Sequence, residues 1–204
     1  MELIDSYNTL ETLSEGLYKE KGSKFIAYAV PCYSEQEAKD NLQTWRKQHH
    51  QSRHVCYAYR FGLKKDVFRA NDDGEPSNSA GAPILGQIQS FDLTNVLIGV
   101  VRYFGGTKLG VGGLIHAYKT SAREAIENGK IIEKQVFEHL QIQFGYGAMP
   151  DVMNLVKTHQ LQIESQIFEE NCSLQVAIPL DKTTYLTELL AENKHLELES
   201  RGIY

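Results

Sequence analysis

The chain has 204 residues, of which 42% are hydrophobic and 23% are charged. This is the balance of a globular protein, so composition excludes wholesale disorder, and the length favours two compact domains. The net charge is −5, which argues against non-specific coating of nucleic acid, but residues 1–134 hold 17 basic and 16 acidic side chains, whereas residues 135–204 hold 4 and 10. We therefore expect an anionic partner to contact the first part.

The first residues, Met1-Glu2-Leu3-Ile4-Asp5, carry early acids and no basic segment followed by an apolar run. No uninterrupted apolar stretch reaches the roughly 18 residues of a membrane-spanning helix. We expect neither a secretory signal nor a membrane partner, and hence a cytoplasmic location. The three cysteines, Cys32, Cys56 and Cys172, are widely spaced in strand-like stretches, which predicts buried free thiols.

The first half of the chain begins with a β-rich run over 24–30 that predicts a strand ending at Pro31. Ser34 and Glu37 have the spacing of a capping box, and apolar residues then recur at helical intervals up to Gln48. Two further β-rich runs, 55–60 and 66–70, are separated by a glycine-containing turn. They predict an antiparallel hairpin.

The next elements surround the most apolar run of the chain, 95–104, which predicts a central buried strand. Before it, 80–89 predict a short helix in which Pro83 belongs to the first turn. After it, a glycine-rich loop over 105–113 leads to a helix that begins at Leu114 and ends near Gly129, the expected residue just beyond the helix.

The pattern restarts beyond Glu133 with a strand, a helix, two strands, a helix and a short strand, over 136–144, 149–158, 161–168, 173–179, 183–191 and 196–199. This βαββαβ order is ferredoxin-like. The restart alone places the boundary, so we predict an N-terminal domain over 1–134 and a C-terminal domain over 135–204, both of class α+β.

A loop rich in carboxylates follows the predicted hairpin, with the sequence Asp72-Asp-Gly-Glu-Pro-Ser77. One interpretation is a polar turn, since these are turn-forming residues. The other is a rigid loop in which one carboxylate pairs with a cation while another accepts a proton or binds a metal ion. We expect Asp73 or Glu75 to contact Arg102, because an arginine at the end of a buried strand would otherwise be unpaired.

The glycine-rich loop joins a strand to a helix, a junction that directs backbone N–H groups at an anion. It is not a Walker A loop, because no Gly-Lys-Ser/Thr follows the spacer. It is not a dinucleotide fingerprint either, because Ile115 stands where the third glycine is needed. Tight turns and close helix packing are the alternative use of these glycines. The candidate ligand-binding residues are Ser77, Arg102, Gly105, Gly106, Lys108, Gly110, Gly112, Gly113 and Tyr118.

Histidines cluster just before the predicted hairpin, at 49, 50 and 54. His50 and His54 lack the intervening glutamate of a zinc helix, so no metal site is predicted. His54 opens a strand that can face the carboxylate loop. The catalytic candidates are therefore His54, Asp73 and Glu75, with no cofactor predicted.

Four separated motifs occur in order and together resemble the IMPACT/YigZ family over roughly residues 16–130. They are Lys21-Gly-Ser-Lys-Phe-Ile-Ala27, His54-Val-Cys-Tyr-Ala-Tyr-Arg60, Asp72-Asp-Gly-Glu-Pro-Ser77 followed by Ala80-Gly-x-Pro-Ile-Leu85, and Val101-Arg-Tyr-Phe-Gly-Gly-x-Lys-Leu-Gly-x-Gly-Gly-Leu114 followed by Ala117-Tyr118. The sequence departs from the family at Asn78-Ser79, where Gly-Thr is usual, and at His116, where arginine is usual.

The resemblance implies an N-terminal domain with the fold of ribosomal protein S5 domain 2, followed by the ferredoxin-like domain. It also implies a role in translational control, to which eukaryotic members are linked, with RNA, the ribosome or a translation factor as partner. A hydrolase or small-molecule enzyme using His54, Asp73 and Glu75 is the alternative, and a protein-interaction scaffold is a third. The oligomeric state is left open.

Overall fold

A computed structural model describes residues 4–169, 171–193 and 196–203. The contacts divide the chain into two compact units. The first unit is Tyr7–Lys134, and the second contains the residues from Gln135 onward and those before Tyr7. Whether a fragment of residues 1–134 folds by itself stays a prediction.

The first unit is built on a five-stranded antiparallel sheet in the order β2-β3-β6-β4-β5. The strands are β2 (Ser14–Glu20), β3 (Ser23–Pro31), β4 (His54–Phe61), β5 (Val67–Asn71) and β6 (Val96–Tyr103). Strand β6 is central and buried along almost its whole length, as its continuous apolar sequence predicts. The predicted hairpin of β4 and β5 is confirmed.

Helices cover both faces of this sheet, namely α1 (Glu35–Gln48), α2 (Gly81–Ser90) and α3 (Gly110–Asn128). Helix α1 begins as the capping box predicts, because Ser34 Oγ accepts a hydrogen bond from the Glu37 N–H at 3.2 Å. Its Trp45 packs against Gly99, where an added Cβ would lie 2.4 Å from the indole. Helices α2 and α3 enclose the larger core on the other face.

Three strands of the structure are missing from the sequence prediction: β2, β1 (Ser6–Leu10) and β7 (Ile131–Gln135). Strands β1 and β7 form a separate two-stranded sheet. Strand β2 is an edge strand whose charged, partly exposed residues give no β-rich signal. It is joined to β3 by a two-residue turn, Lys21-Gly22, in which both residues have positive φ, as a tight hairpin requires.

Helix α3 differs from its prediction at its start, whereas its end at Asn128 agrees. It begins at Gly110 rather than at Leu114, so the last glycines of the predicted loop belong to the first turn of the helix. Gly129 does cap the helix, but its backbone is extended rather than left-handed. A glycine is needed there for space instead, because an added Cβ would lie 2.7 Å from Ser14 Oγ.

The second unit contains a four-stranded sheet in the order β11-β8-β10-β9 with two α-helices. Its elements are β8 (Phe137–Gly145), α4 (Met149–Thr158), β9 (Gln162–Ile167), β10 (Asn171–Pro179), α5 (Thr183–Ala191) and β11 (Leu196–Ile203). This confirms the ferredoxin-like βαββαβ order and the α+β class. An apolar core centred on Ile142, Leu174 and Ile178 lies within this unit.

The cysteines are free and buried, as predicted. Burial raises the pKa of the Cys32 thiol to about 12, so this group stays protonated at neutral pH. Within the parts of the chain that the structure describes, none of the helices has the length and apolarity to cross a membrane.

Candidate anion-binding cleft

A buried ion pair lies at the end of the central strand. Arg102, near the end of β6, donates from Nη1 to Glu75 Oε1 at 2.6 Å, and the two side chains are only 8% and 4% exposed. The predicted contact between Arg102 and the carboxylate loop is confirmed, with Glu75 rather than Asp73 as the partner. Such a pair is sensitive to the loss of either member, because the other would remain a buried, unpaired charge.

The Glu75 carboxylate accepts a second hydrogen bond, from Tyr118. The Tyr118 hydroxyl donates to the same Oε1 at 2.8 Å, and the Cys56 thiol lies 3.3 Å from the tyrosine oxygen. Burial raises the pKa of both Tyr118 and Cys56, so both stay protonated. Tyr118 is 0% exposed. It was predicted to bind ligand, but the structure places it as a positioning residue for Glu75.

Two aromatic rings contact the guanidinium of Arg102. Its Cζ lies 5.5 Å from the centroid of the Phe25 ring and 5.6 Å from that of the Phe104 ring. Both distances fit cation–π contact. Phe25 is fully buried, whereas Phe104 is 53% exposed. Arg102 Nε is buried and has no hydrogen-bond partner among the described residues.

Asp72 organises the backbone of its own loop. Its carboxylate accepts hydrogen bonds from the N–H groups of Ala80 and Gly81 at 2.9 and 2.8 Å, and from that of Asn78 at 2.8 Å. These bonds satisfy N–H groups at the start of α2 that have no partner within the helix. The polar-turn interpretation of the loop is therefore right for Asp72.

Asp73 is also fully engaged. Its two carboxylate oxygens accept from Arg46 Nη2 at 2.8 Å and from the Val55 N–H at 2.7 Å. His54 Nδ1 lies 2.7 Å from the Asp73 carbonyl oxygen, which only accepts, so Nδ1 carries a proton. The imidazole therefore contacts the backbone of Asp73 and not its carboxylate. The three catalytic candidates are close in space without forming a base and orienting-acid pair.

An open cleft of about 480 Å³ lies above the ion pair, between the carboxylate loop and the start of α3. Its polar lining residues are Arg53, His54, Glu75, Arg102 and Lys108. Its remaining lining residues are Pro76, Phe104, Leu109, Gly110, Val111 and Leu114. Its polar wall thus carries more cationic than anionic side chains.

Several candidate residues do not line this cleft: Asp73, Ser77, Gly105, Gly106, Gly112, Gly113 and Tyr118. Arg53, which belongs to the basic segment beside the clustered histidines, lines the cleft without being among the candidate residues. The apolar wall, especially Phe104 and Val111, was not predicted either. Phe104 was read as the last residue of a buried strand, but β6 ends at Tyr103. The helical placement of Val111 depends on the earlier start of α3.

The glycines of the loop have different uses. Gly105 packs on the β2–β3 turn, since an added Cβ would lie 1.9 Å from the Gly22 carbonyl carbon and 2.1 Å from the Ser23 nitrogen. Gly106 and Gly110 have φ of 87° and 73°, which favours glycine. Gly112 has open space around it and no positive φ. Close packing and turn geometry therefore account for much of the glycine pattern.

The first turn of α3 contributes to the lining of the cleft. No side chain caps this helix, and its first turn contains no acidic residue. The N–H groups of the first turn lack partners within the helix, and the helix dipole places partial positive charge there. Lys108 precedes the helix and lines the same cleft. The arrangement suits an anion.

No group of three or more His, Cys, Asp or Glu side chains within the described ranges is placed to hold a metal ion. The fold and the cleft together define the class of protein. It is an α+β protein whose first unit carries an open cleft with cationic and apolar walls above a buried ion pair.

Residues 21–126 match the Impact N-terminal domain, and the chain belongs to the IMPACT family. It is 31% identical to IMPACT family member YvyE of Bacillus subtilis (strain 168), an alignment that covers 93% of this chain and 88% of that protein. It is 29% identical to IMPACT family member YigZ of Escherichia coli (strain K12), over 84% and 85%. A crystal structure of a hypothetical protein is 26% identical, covers 98% of this chain and 99% of its own, and superposes with a TM-score of 0.75.

Proposed function

We propose that this chain is a translation-associated regulatory protein that contacts RNA, the ribosome or a translation factor through the cleft of its first unit. Membership of the IMPACT family supports the link to translation, because the family resemblance implies a role in translational control. The observation that carries the binding role is the lining of the cleft, where Arg53, Lys108 and Arg102 converge with the uncapped start of α3.

The charge distribution supports the same surface. Residues 135–204 carry 4 basic and 10 acidic side chains, so an anionic partner is repelled there. The excess of positive charge at the cleft lies in the first unit. RNA contact at this site is electrostatic and is expected to weaken with salt, because phosphate binding releases counterions.

Binding explains the carboxylates better than hydrolysis does. A general base needs an oxygen free to accept a proton within hydrogen-bond reach of the substrate. Both carboxylate oxygens of Asp73 accept hydrogen bonds, from Arg46 and from the Val55 N–H. Glu75 is only 4% exposed, and its Oε1 accepts from both Arg102 and Tyr118. These contacts suit a rigid support for a binding surface, which favours binding over the hydrolase alternative.

A salt titration of RNA binding tests the proposal. Fluorescence anisotropy of a labelled single-stranded RNA is measured over a range of salt for the wild type, Lys108→Ala and Lys39→Ala. Both variants lose one positive charge, but Lys39 is exposed on α1, which covers the other face of the sheet. Loss of one phosphate contact should reduce the slope of log K against log salt by about 0.7 in Lys108→Ala only.

Co-sedimentation with ribosomes at low and high salt tests the larger partner with the same three proteins. Association that is released by salt and weakened by Lys108→Ala supports the proposal. Equal binding by the two variants, or binding that ignores salt, contradicts a role for the cleft in contacting RNA.

A further inference from the structure

The cleft has a second wall that is apolar, and a phosphate group alone would not contact it. Large apolar side chains are exposed on it: Phe104 by 53% and Val111 by 52%. Leu109, Leu114 and Pro76 continue the same lining. A ligand that fills this cleft therefore has both an anionic end and an apolar part, because contact with the wall removes apolar surface from water.

The size of the cleft limits the ligand to a small unit. Its volume of about 480 Å³ falls within the range of clefts that enclose single small-molecule ligands, roughly 300–1,000 Å³. A base in a duplex is covered on both faces by its neighbours and is not available to a side chain, whereas an unpaired base offers a free ring face.

Phe104 offers an exposed aromatic ring beside the cleft. The Arg102 guanidinium lies 5.6 Å from its centroid, and Arg102 is itself fixed by Glu75 and by Phe25. More than half of the Phe104 side chain remains exposed beside the cleft. An unpaired base can stack on the exposed part of this ring.

The anionic end has a separate place. Lys108, Arg102 and the uncapped first turn of α3 line the cleft together. The Arg102 side chain is only 8% exposed, and its Nε has no hydrogen-bond partner in the described part of the chain. An unpaired buried donor is uncommon, and this one is shielded from solvent behind the cleft lining. A phosphate in the cleft supplies acceptors to the Lys108 ammonium and to the N–H groups of the first turn of α3.

We propose that the cleft binds one phosphorylated nucleoside unit, with its phosphate toward Lys108 and the start of α3 and its base against Phe104. This inference rests on the proposed function and names its ligand chemistry. The unit is either an unpaired residue of RNA or a free mononucleotide, and the two share the contacts described.

Calorimetric titration of the full chain tests the two halves of the ligand. The probes are AMP and UMP, with ribose 5-phosphate as the form lacking a base and adenosine as the form lacking a phosphate. We expect both nucleotides to bind roughly tenfold or more tightly than either partial ligand, from the strength of base–aromatic stacking and of phosphate contacts. Equal binding of ribose 5-phosphate and AMP overturns the inference.

Phe104 variants assign the stacking contact. Phe104→Ala should lower AMP affinity by about tenfold and leave ribose 5-phosphate binding unchanged, and Phe104→Trp should restore AMP affinity. Phe68→Ala is the matched control, because Phe68 is 56% exposed on β5 and lies outside the cleft lining. Unchanged AMP affinity in Phe104→Ala overturns the inference.

Competition between AMP and RNA shows whether the bound nucleoside unit comes from RNA or from a free mononucleotide. It also tests this inference separately from the proposed function. Displacement of AMP by single-stranded RNA, but not by the matching duplex, identifies the unit as an unpaired RNA residue. AMP binding without displacement by RNA supports the inference and contradicts RNA contact at the cleft. RNA binding that depends on Lys108 but not on Phe104 overturns the inference and leaves the proposed function standing.

Discussion

Replacing Glu75 with alanine is the sharpest test of the base of the cleft. The change leaves the Arg102 guanidinium and the Tyr118 hydroxyl without the oxygen to which both donate, at 2.6 and 2.8 Å. Arg102 would then be a charge 8% exposed, with neither Nη1 nor Nε paired. Removing one member of a buried ion pair costs about 3–5 kcal/mol of the free energy of unfolding.

A count of the lost hydrogen bonds gives a similar magnitude. A bond between charged groups contributes about 1.5–3 kcal/mol and a neutral donor adds about 0.5–1.5 kcal/mol, or roughly 2–4.5 kcal/mol together. Trp45, the one tryptophan of the sequence, is buried in the first unit. Its fluorescence during urea denaturation therefore reports the unfolding of that unit.

Two further variants make the measurement decisive. Glu127→Ala removes an exposed ion pair with Arg123, and it should change the free energy of unfolding by less than about 1 kcal/mol. Adding Arg102→Met to Glu75→Ala should recover part of the lost stability, because the unpaired charge is removed. A loss in Glu75→Ala no larger than that in Glu127→Ala would show that the ion pair does not stabilise the cleft.

Three other predictions use the same fluorescence assay. His49 Nε2 and Nδ1 lie 2.7 and 2.9 Å from the hydroxyls of Tyr28 and Tyr103, and burial, followed by the charge of Lys24, lowers the pKa of its imidazole. As pH falls, the unfolded chain therefore binds a proton at His49 before the folded chain does, so the free energy of unfolding should decrease below about pH 6.5. His49→Gln should make this decrease smaller, and an unchanged pH dependence in the variant would contradict the prediction. Gly105→Ala should destabilise the first unit by about 1–3 kcal/mol through its clash with the β2–β3 turn, whereas Gly112→Ala, with open space around it, should not destabilise it. A fragment of residues 1–134 should unfold cooperatively with a midpoint close to that of the whole chain, and a non-cooperative curve would count against independent folding.

The sequence alone predicted the elements whose signals are local and strong. The apolar run of β6, the capping box of α1 and the βαββαβ order of the second unit all appear in the structure. The contact of Arg102 with the carboxylate loop was also predictable, because a charge at the end of a buried strand needs a partner. The partner's identity was not, since Asp73 and Glu75 have the same chemistry and differ only in where the loop directs them.

Tertiary structure decided the edge strands and the composition of the cleft. Strand β2 has too little β-rich sequence to be recognised, and it is stabilised by pairing with β3, a contact absent from any local pattern. Because α3 begins at Gly110, Val111 lies in its first turn and lines the cleft. Tyr118 was predicted to contact a ligand, but it is buried and donates a hydrogen bond to Glu75. Membership of a cleft depends on which side chains from distant segments face one another, and residue type and spacing along the chain do not specify that.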